Sequence, residues 1–291
     1  MDQPASPSTG VEAGASSPHL DRREQRQAAE RAPLGPLVIH EIVREQGEIE
    51  LQRSFPGLAW SGLASGLSIG FSMVVQAYLQ AGLPDAPWRR LIAAFGYSVG
   101  FLIVVLGRQQ LFTETTLTAL IPSLTRHDLP TLRATLRVWA IVLAANLLGT
   151  WAFGAIAAQP GIFSAEARAA MADLSHHVMG APFWITLIRA GSAGWIIGLM
   201  VWLLPPSGGA RPFIIILLTY VIALCQFPHV IAGSVEATFG VASGAATVGD
   251  YVARFLVPTL LGNVFGGTVL AALLNHAPVA GELTEERGQT R

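Results

Sequence analysis

The sequence predicts an all-α protein that crosses a membrane six times, and three observations carry that reading. Hydrophobic residues make up 52% of the 291 and charged ones only 13%, against about a quarter in an average soluble domain, with a mean hydropathy of +0.49. The apolar residues gather into uncharged runs near the ~20 residues that span ~30 Å of hydrocarbon as a helix. Most of the charges fall between those runs. An ordinary soluble enzyme is excluded, and the balance is the reverse of that of a disordered chain.

Taken in order, residues 1–36 are rich in Ala, Pro, Ser, Gln and Arg without an apolar period, and are expected to form a disordered tail. No apolar core follows their arginines, and Asp21, Glu24 and Glu30 intervene, so they do not read as a signal peptide. Over 37–56, Val38, Ile39, Ile42, Val43 and Ile49 recur between Glu and Arg, which predicts an amphipathic helix lying on the membrane surface. A six-span domain over 57–275 follows, and 276–291 is a second tail. The expected spans are Gly57 to Gln80, Leu91 to Gly107, Val138 to Ala158, Val178 to Leu204, Pro212 to Val235 and Phe255 to Leu274, with an outer loop from Gln159 to His177. Gly62, Gly66 and Gly70 on the first span, and Gly262 and Gly266 on the sixth, form small-residue rows for close helix packing.

Arginine placement orients the chain. Arg44, Arg53, Arg126, Arg133, Arg137, Arg211, Arg287 and Arg291 fall on one side, and Arg89, Arg90, Arg168 and Arg254 on the other. Eight against four favours both termini in the cytoplasm. All 18 basic residues are Arg, the net charge is −1 and the pI is near 6.7, so a nucleic-acid partner is not expected. Cys225 is the single cysteine, which forbids an intrachain disulfide or a multi-Cys metal site, and neither a metal nor a cofactor is expected.

The second and fifth spans are interrupted. Arg108, Gln109, Gln110, Leu111, Phe112, Thr113 and Glu114 separate an apolar run from its restart at 115–124. Pro228, His229, Gly233, Ser234 and Glu236 break the fifth before an apolar, Gly-rich stretch from Ala237 to Gly249. Interruptions at matching places of two three-span halves point to an inverted repeat with a solute path between the halves. Irregular backbone at membrane depth survives only where protein buries it or water bathes it, so 108–114 and 228–236 are the expected path.

GYSVGFLIVVLGRQQLFTETTL at 96–117, FPHVIAGS at 227–234, NLLGTWAFG at 146–154, GLMVWL at 198–203 and LGNVFGGTVLAALL at 261–274, with the segment from His40 through the first span, resemble in order the formate/nitrite transporter family over about residues 40–275. The resemblance implies an aquaporin-like fold with broken helices 2 and 5, assembled as a homopentamer in a bacterial-type inner membrane. It implies passage of a small monovalent anion or its conjugate acid, such as formate, nitrite or hydrosulfide. It places His229 at the pore centre, Phe112 and Thr113 on the loop facing it, and Tyr97, Phe101, Leu111, Phe112 and Ile222 at apolar constrictions. Tyr97 and Phe101, four apart, also share one helical face. Three positions depart from the family pattern: Val178 stands where it has a lysine, beside His176 and His177, while Gly194 and Gly233 stand where it has asparagines.

An imidazole in an apolar span needs a partner or water. His229 is therefore either a proton-sharing group that lets an anion cross as its neutral acid, or a side chain satisfied by the backbone around Pro228. Thr113 either bonds His229 or the solute, or caps the helix restarting at 115. Phe112 suits a dewetting gate, although core packing is the commoner role of Phe. Arg108, Glu114, Arg189 and Glu236 are costly inside a membrane; they are either an electropositive lure with counter-charges or two structural ion pairs. His176 and His177 serve either a vestibule or a solvated loop. The competing functions are a channel for a small neutral solute, a non-conducting scaffold, and an intramembrane enzyme built on His229 and Glu236. That last reading lacks a second metal ligand, a Gly-x-Ser-x-Gly and a nucleotide loop, so the chain is not expected to be an enzyme.

Overall fold

The six apolar runs are six helices long and apolar enough to cross a bilayer: Phe55–Gly82, Arg89–Leu106, Leu129–Ala157, Phe183–Leu203, Pro205–Leu224 and Val248–Leu273. This computed structural model describes residues 21–32, 34–275 and 277; most of the two expected tails lies outside the described residues. The third helix starts well before the expected Val138. Asp128 caps it by accepting from Thr131 N–H at 2.7 Å, and the helix continues through Arg133 and Arg137 because an exposed helical turn has no need to be apolar.

Three expectations change. Arg22–Arg31, inside the stretch expected to be a structureless tail, is helical. Asp21 and Glu24 cap its start reciprocally, Asp21 Oδ1 accepting from Glu24 N–H at 2.8 Å and Glu24 Oε2 from Asp21 N–H at 2.9 Å. The outer loop contains the helix Ala165–Val178, alanine-rich and capped by Ser164, packed on the first span and on the helix Ala232–Ala242. The surface helix Pro36–Gln52 buries its inner face on protein. His40, Val43 and Gly47 are enclosed, with Val43 packing on Leu117, Ile121 and Val201. Glu48 bridges this helix to Arg126 at 2.6 Å, and Arg137 donates to the carbonyl of Leu51 at 2.8 Å.

Within each half, the first and third spans cross at glycines. A Cβ on Gly66 would strike the backbone of Asn146, and one on Gly194 would strike that of Asn263. Gly262 and Gly266 lie as close to the fourth span, so the small-residue rows are packing surfaces. Between the two crossed pairs, the second and fifth spans meet at Ser98 and Thr219, whose hydroxyls are 2.8 Å apart. Trp60, Leu148, Trp184, Ile188, Phe213 and Leu217 are all exposed, an apolar surface suited to lipid or to a neighbouring subunit.

Candidate functional site

Both interrupted helices break by the same device. After Leu106 the chain turns left-handed at Arg108, φ 51°, and Gln109 N–H donates back to Val104 at 3.0 Å. After Leu224 it does so at Gln226, φ 54°, and Phe227 N–H donates to Ile222, also at 3.0 Å. Adding 118 to a residue number in the first break gives its counterpart in the second, 104 to 222 and 109 to 227. These are Schellman closures on residues other than glycine, each strained by about 1–2 kcal/mol. Such strain persists only where the surroundings over-determine it.

The surroundings are two asparagines, Asn146 and Asn263, neither of them among the site residues expected from the sequence. Asn146 Oδ1 accepts from Phe112 N–H at 2.9 Å, and its Nδ2 donates to Gly62 and Gln110 at 2.8 and 2.9 Å. Asn263 Oδ1 accepts from Val230 N–H at 2.7 Å, and its Nδ2 donates to Ala190 and Pro228 at 2.8 and 3.0 Å. Each thus ties the broken helix of its half to the other two spans. A lone Asn within the third apolar run of each half was the available signal. These donated bonds let both helices restart sooner than expected, Phe112–Thr118 at Phe112 and Ala232–Ala242 at Ala232. Phe112, Thr113 and Glu114, and on the other side Gly233, Ser234 and Glu236, therefore sit on short helices rather than in loops.

Where the breaks meet, Thr113 Oγ1 lies 2.7 Å from His229 Nε2. His229 Nδ1 accepts from the N–H groups of Ile231 and Ala232 at 3.3 and 3.2 Å, satisfying two orphan donors of the restarting helix. An Nδ1 that accepts carries no proton, so the neutral ring holds its proton on Nε2 and donates to Thr113. The ring of His229 is thus satisfied by the restarting backbone on one edge and by Thr113 on the other. Thr113 sits inside Phe112–Thr118 and does not cap a helix. His229 is 1% exposed, and its ring meets Phe101 edge-on at 5.1 Å, with Tyr97 5.2 Å beyond.

Two cavities approach this centre. One, about 320 Å³, is lined by Tyr97, Ile222, His229 and Glu236, with His177 and Arg189. The other, about 630 Å³, is lined by Arg108, Gln110, Glu114 and Glu50. Phe101, Leu111 and Phe112 line neither cavity and are buried. Phe112 packs edge-on against Trp139 at 6.2 Å, the commoner of its two readings. Among the described residues no ion pair joins Arg108, Glu114, Arg189 or Glu236, so the paired-charge reading fails and each vestibule keeps a cation and a carboxyl apart. His177 lines a cavity and His176 does not, and His229 precedes the helix that carries Glu236 instead of sharing a face with it. A Cβ on Gly233 would meet Phe255 and Val178, so apolar groups occupy two of the departing positions.

A family model described as formate/nitrite transporter matches residues 37–277. Inner membrane protein YfdC of Escherichia coli (strain K12) is 37% identical over 262 residues, covering 89% of this chain and 83% of that protein. Formate channel FocA of Haemophilus influenzae is 24% identical over 241 residues, covering 72% and 82%. A pentameric formate channel with formate bound superposes with a TM-score of 0.65 at 19% identity, covering 78% of this chain and 98% of its own. An FNT family ion channel does so at 0.70 and 15%, covering 82% and 96%. These likenesses show the six-helix fold with two broken helices.

Proposed function

Because this chain belongs to the formate/nitrite transporter family, we propose that it forms a pore for a small monovalent anion of the formate, nitrite or hydrosulfide kind, which crosses the centre as its conjugate acid. The observation that carries this is the Thr113–His229 pair, the polar contact at the junction of two identical breaks, with a cavity on either side. A bare anion entering the apolar plug of Phe101 and Leu111 loses its hydration at a cost of several kcal/mol, whereas a neutral acid does not. With Nδ1 held by backbone N–H groups, the proton His229 offers sits at Nε2, where the ring and the Thr113 hydroxyl together supply a donor edge. Tyr97, Ile222 and Phe101 line or back the approach, and the exposed Arg108 and Arg189 draw anions to opposite mouths.

In this reading the chain is a multi-pass protein of the inner membrane, five copies assemble with one pore each, and the arginine bias puts both termini in the cytoplasm. The apolar wall of Val178 and Gly233, backed by the buried Phe255, favours a second reading, a small neutral solute. Uptake of formate, nitrite, hydrosulfide and urea into proteoliposomes between about pH 5 and 8 separates the two. Acid flux that rises as pH falls and collapses in His229→Ala and Thr113→Val is the expected result. Flux of urea alone, or anion flux indifferent to both substitutions, overturns it.

A further inference from the structure

Each vestibule has arginines at its mouth and a carboxyl group further in. Around the cavity that touches His229, the mouth carries Arg89, Arg90 and Arg189, and Glu236 lies within. Glu236 is 8% exposed and, among the described residues, makes no hydrogen bond or ion pair. It shares the cavity with Tyr97 of the second span and with Asp173 and His177 of the helix Ala165–Val178. Around the other cavity the cations are Arg53, Arg108 and Arg211, with Glu50 and Glu114 inside. Glu114 has one buried carboxylate oxygen without a partner.

The two sets match through the repeat. The step of 118 that relates the breaks carries Thr118 to Glu236, and the Thr118 hydroxyl donates to the Glu50 carboxylate at 2.6 Å. A carboxyl group therefore stands at the corresponding place of each vestibule, although one comes from a restarted helix and the other from the surface helix before the first span. Side chains of unrelated origin brought to equivalent places flanking one centre point to a shared task.

We infer that these carboxyl groups exchange the proton that accompanies the permeating anion, Glu236 on one side and Glu50 with Glu114 on the other. The inference rests on the reading given under Proposed function. For passage in one direction, the O–H bond of protonated Glu236 breaks and its proton bonds to the anion, leaving a carboxylate that water on that side reprotonates. The neutral acid passes His229 and Thr113. At the far side its proton moves to a carboxylate of Glu50 or Glu114, freeing the anion beside Arg53, Arg108 and Arg211, and the new carboxyl releases its proton to water. One proton crosses with each anion, and the reverse direction uses the same groups in reverse order. Burial pushes the Glu50 carboxyl up to about 7, so it exchanges protons near neutrality.

The test measures formate uptake and internal pH together in proteoliposomes holding the full chain, comparing wild type, Glu236→Gln, Glu50→Gln/Glu114→Gln and Glu236→Asp. Each Gln variant should lose at least about tenfold in uptake near pH 7, a modest share of what positioned acid–base groups contribute. The deficit should narrow toward pH 5, where more solute arrives protonated, and Glu236→Asp should keep most of the flux with a displaced pH midpoint. Wild-type uptake and pH profile in both Gln variants would overturn the inference alone. So would an equal loss at every pH that Asp does not restore, since that marks a structural role. If Glu236→Gln does not assemble, an Asp variant with an unshifted midpoint overturns it. Absence of weak-acid flux in the wild-type chain would overturn the pore reading with it.

Discussion

The first three spans present Leu111 to the centre of the molecule; the last three present His229 at the matching position. Everything that holds these two residues is duplicated: the left-handed residue, the back-donated N–H, and the asparagine that reaches from the third span of its own half. What differs is the side chain placed on the common frame, apolar in one half and polar in the other. The lesson is that the backbone device serves architecture and the side chain chemistry, so the two can be broken separately.

The largest effect tests the architecture. Asn146→Ala and Asn263→Ala each leave one N–H and one carbonyl of a break without a partner, Phe112 and Gln110 in one half and Val230 and Pro228 in the other, while the carbonyls of Gly62 and Ala190 keep their helical bonds. At about 1–3 kcal/mol for each buried orphan, each should cost about 2 kcal/mol or more, and up to about 6. Denaturant unfolding in detergent should give similar losses for the two, and one harmless substitution would show that the halves are not clamped alike.

A smaller effect distinguishes the vestibules. Glu50 has its folded value raised to about 7 from the usual 4.5, so the folded state prefers it protonated. Its contribution to stability is complete below the ordinary carboxyl range and is lost as pH rises through about 7, amounting to no more than about 3 kcal/mol. Glu50→Gln should therefore flatten the dependence of Tm on pH between about 4.5 and 7. A wild-type slope surviving in that variant would place the titration elsewhere.

The smallest effect separates frame from charge. Arg108→Gly and Gln226→Gly relieve the same left-handed strain, and each should change stability by no more than about 1 kcal/mol, because the strain relieved is offset by the freedom glycine gains when unfolded. Their transport should differ: losing Arg108 removes a cation from a vestibule and lowers anion uptake at low salt, while losing Gln226 removes none. Equal uptake by the two would deny Arg108 its part in drawing anions.

The sequence determined the class of this protein. Six apolar runs, two interrupted at corresponding places, leave little choice to a chain whose backbone must bond internally in hydrocarbon. His229 and Thr113 were legible as polar groups where an apolar run is interrupted, and Tyr97 and Phe101 as a pair on one helical face. Leu111, Phe112 and Ile222 were singled out as constriction residues only by the family resemblance, since an apolar residue in an apolar run carries no mark of its own. The helices Arg22–Arg31 and Ala165–Val178 were missed because their polar caps and alanines carry propensity without apolar period. Tertiary structure alone decided the rest. Which atom of His229 bears its proton follows from two backbone N–H groups that only the break aims at Nδ1. Whether Arg108, Glu114, Arg189 and Glu236 pair or stand apart depends on separations that residue spacing does not encode. That Glu50 comes to the place corresponding to Glu236 required the surface helix to dock on the broken second span, a contact between segments far apart in the chain.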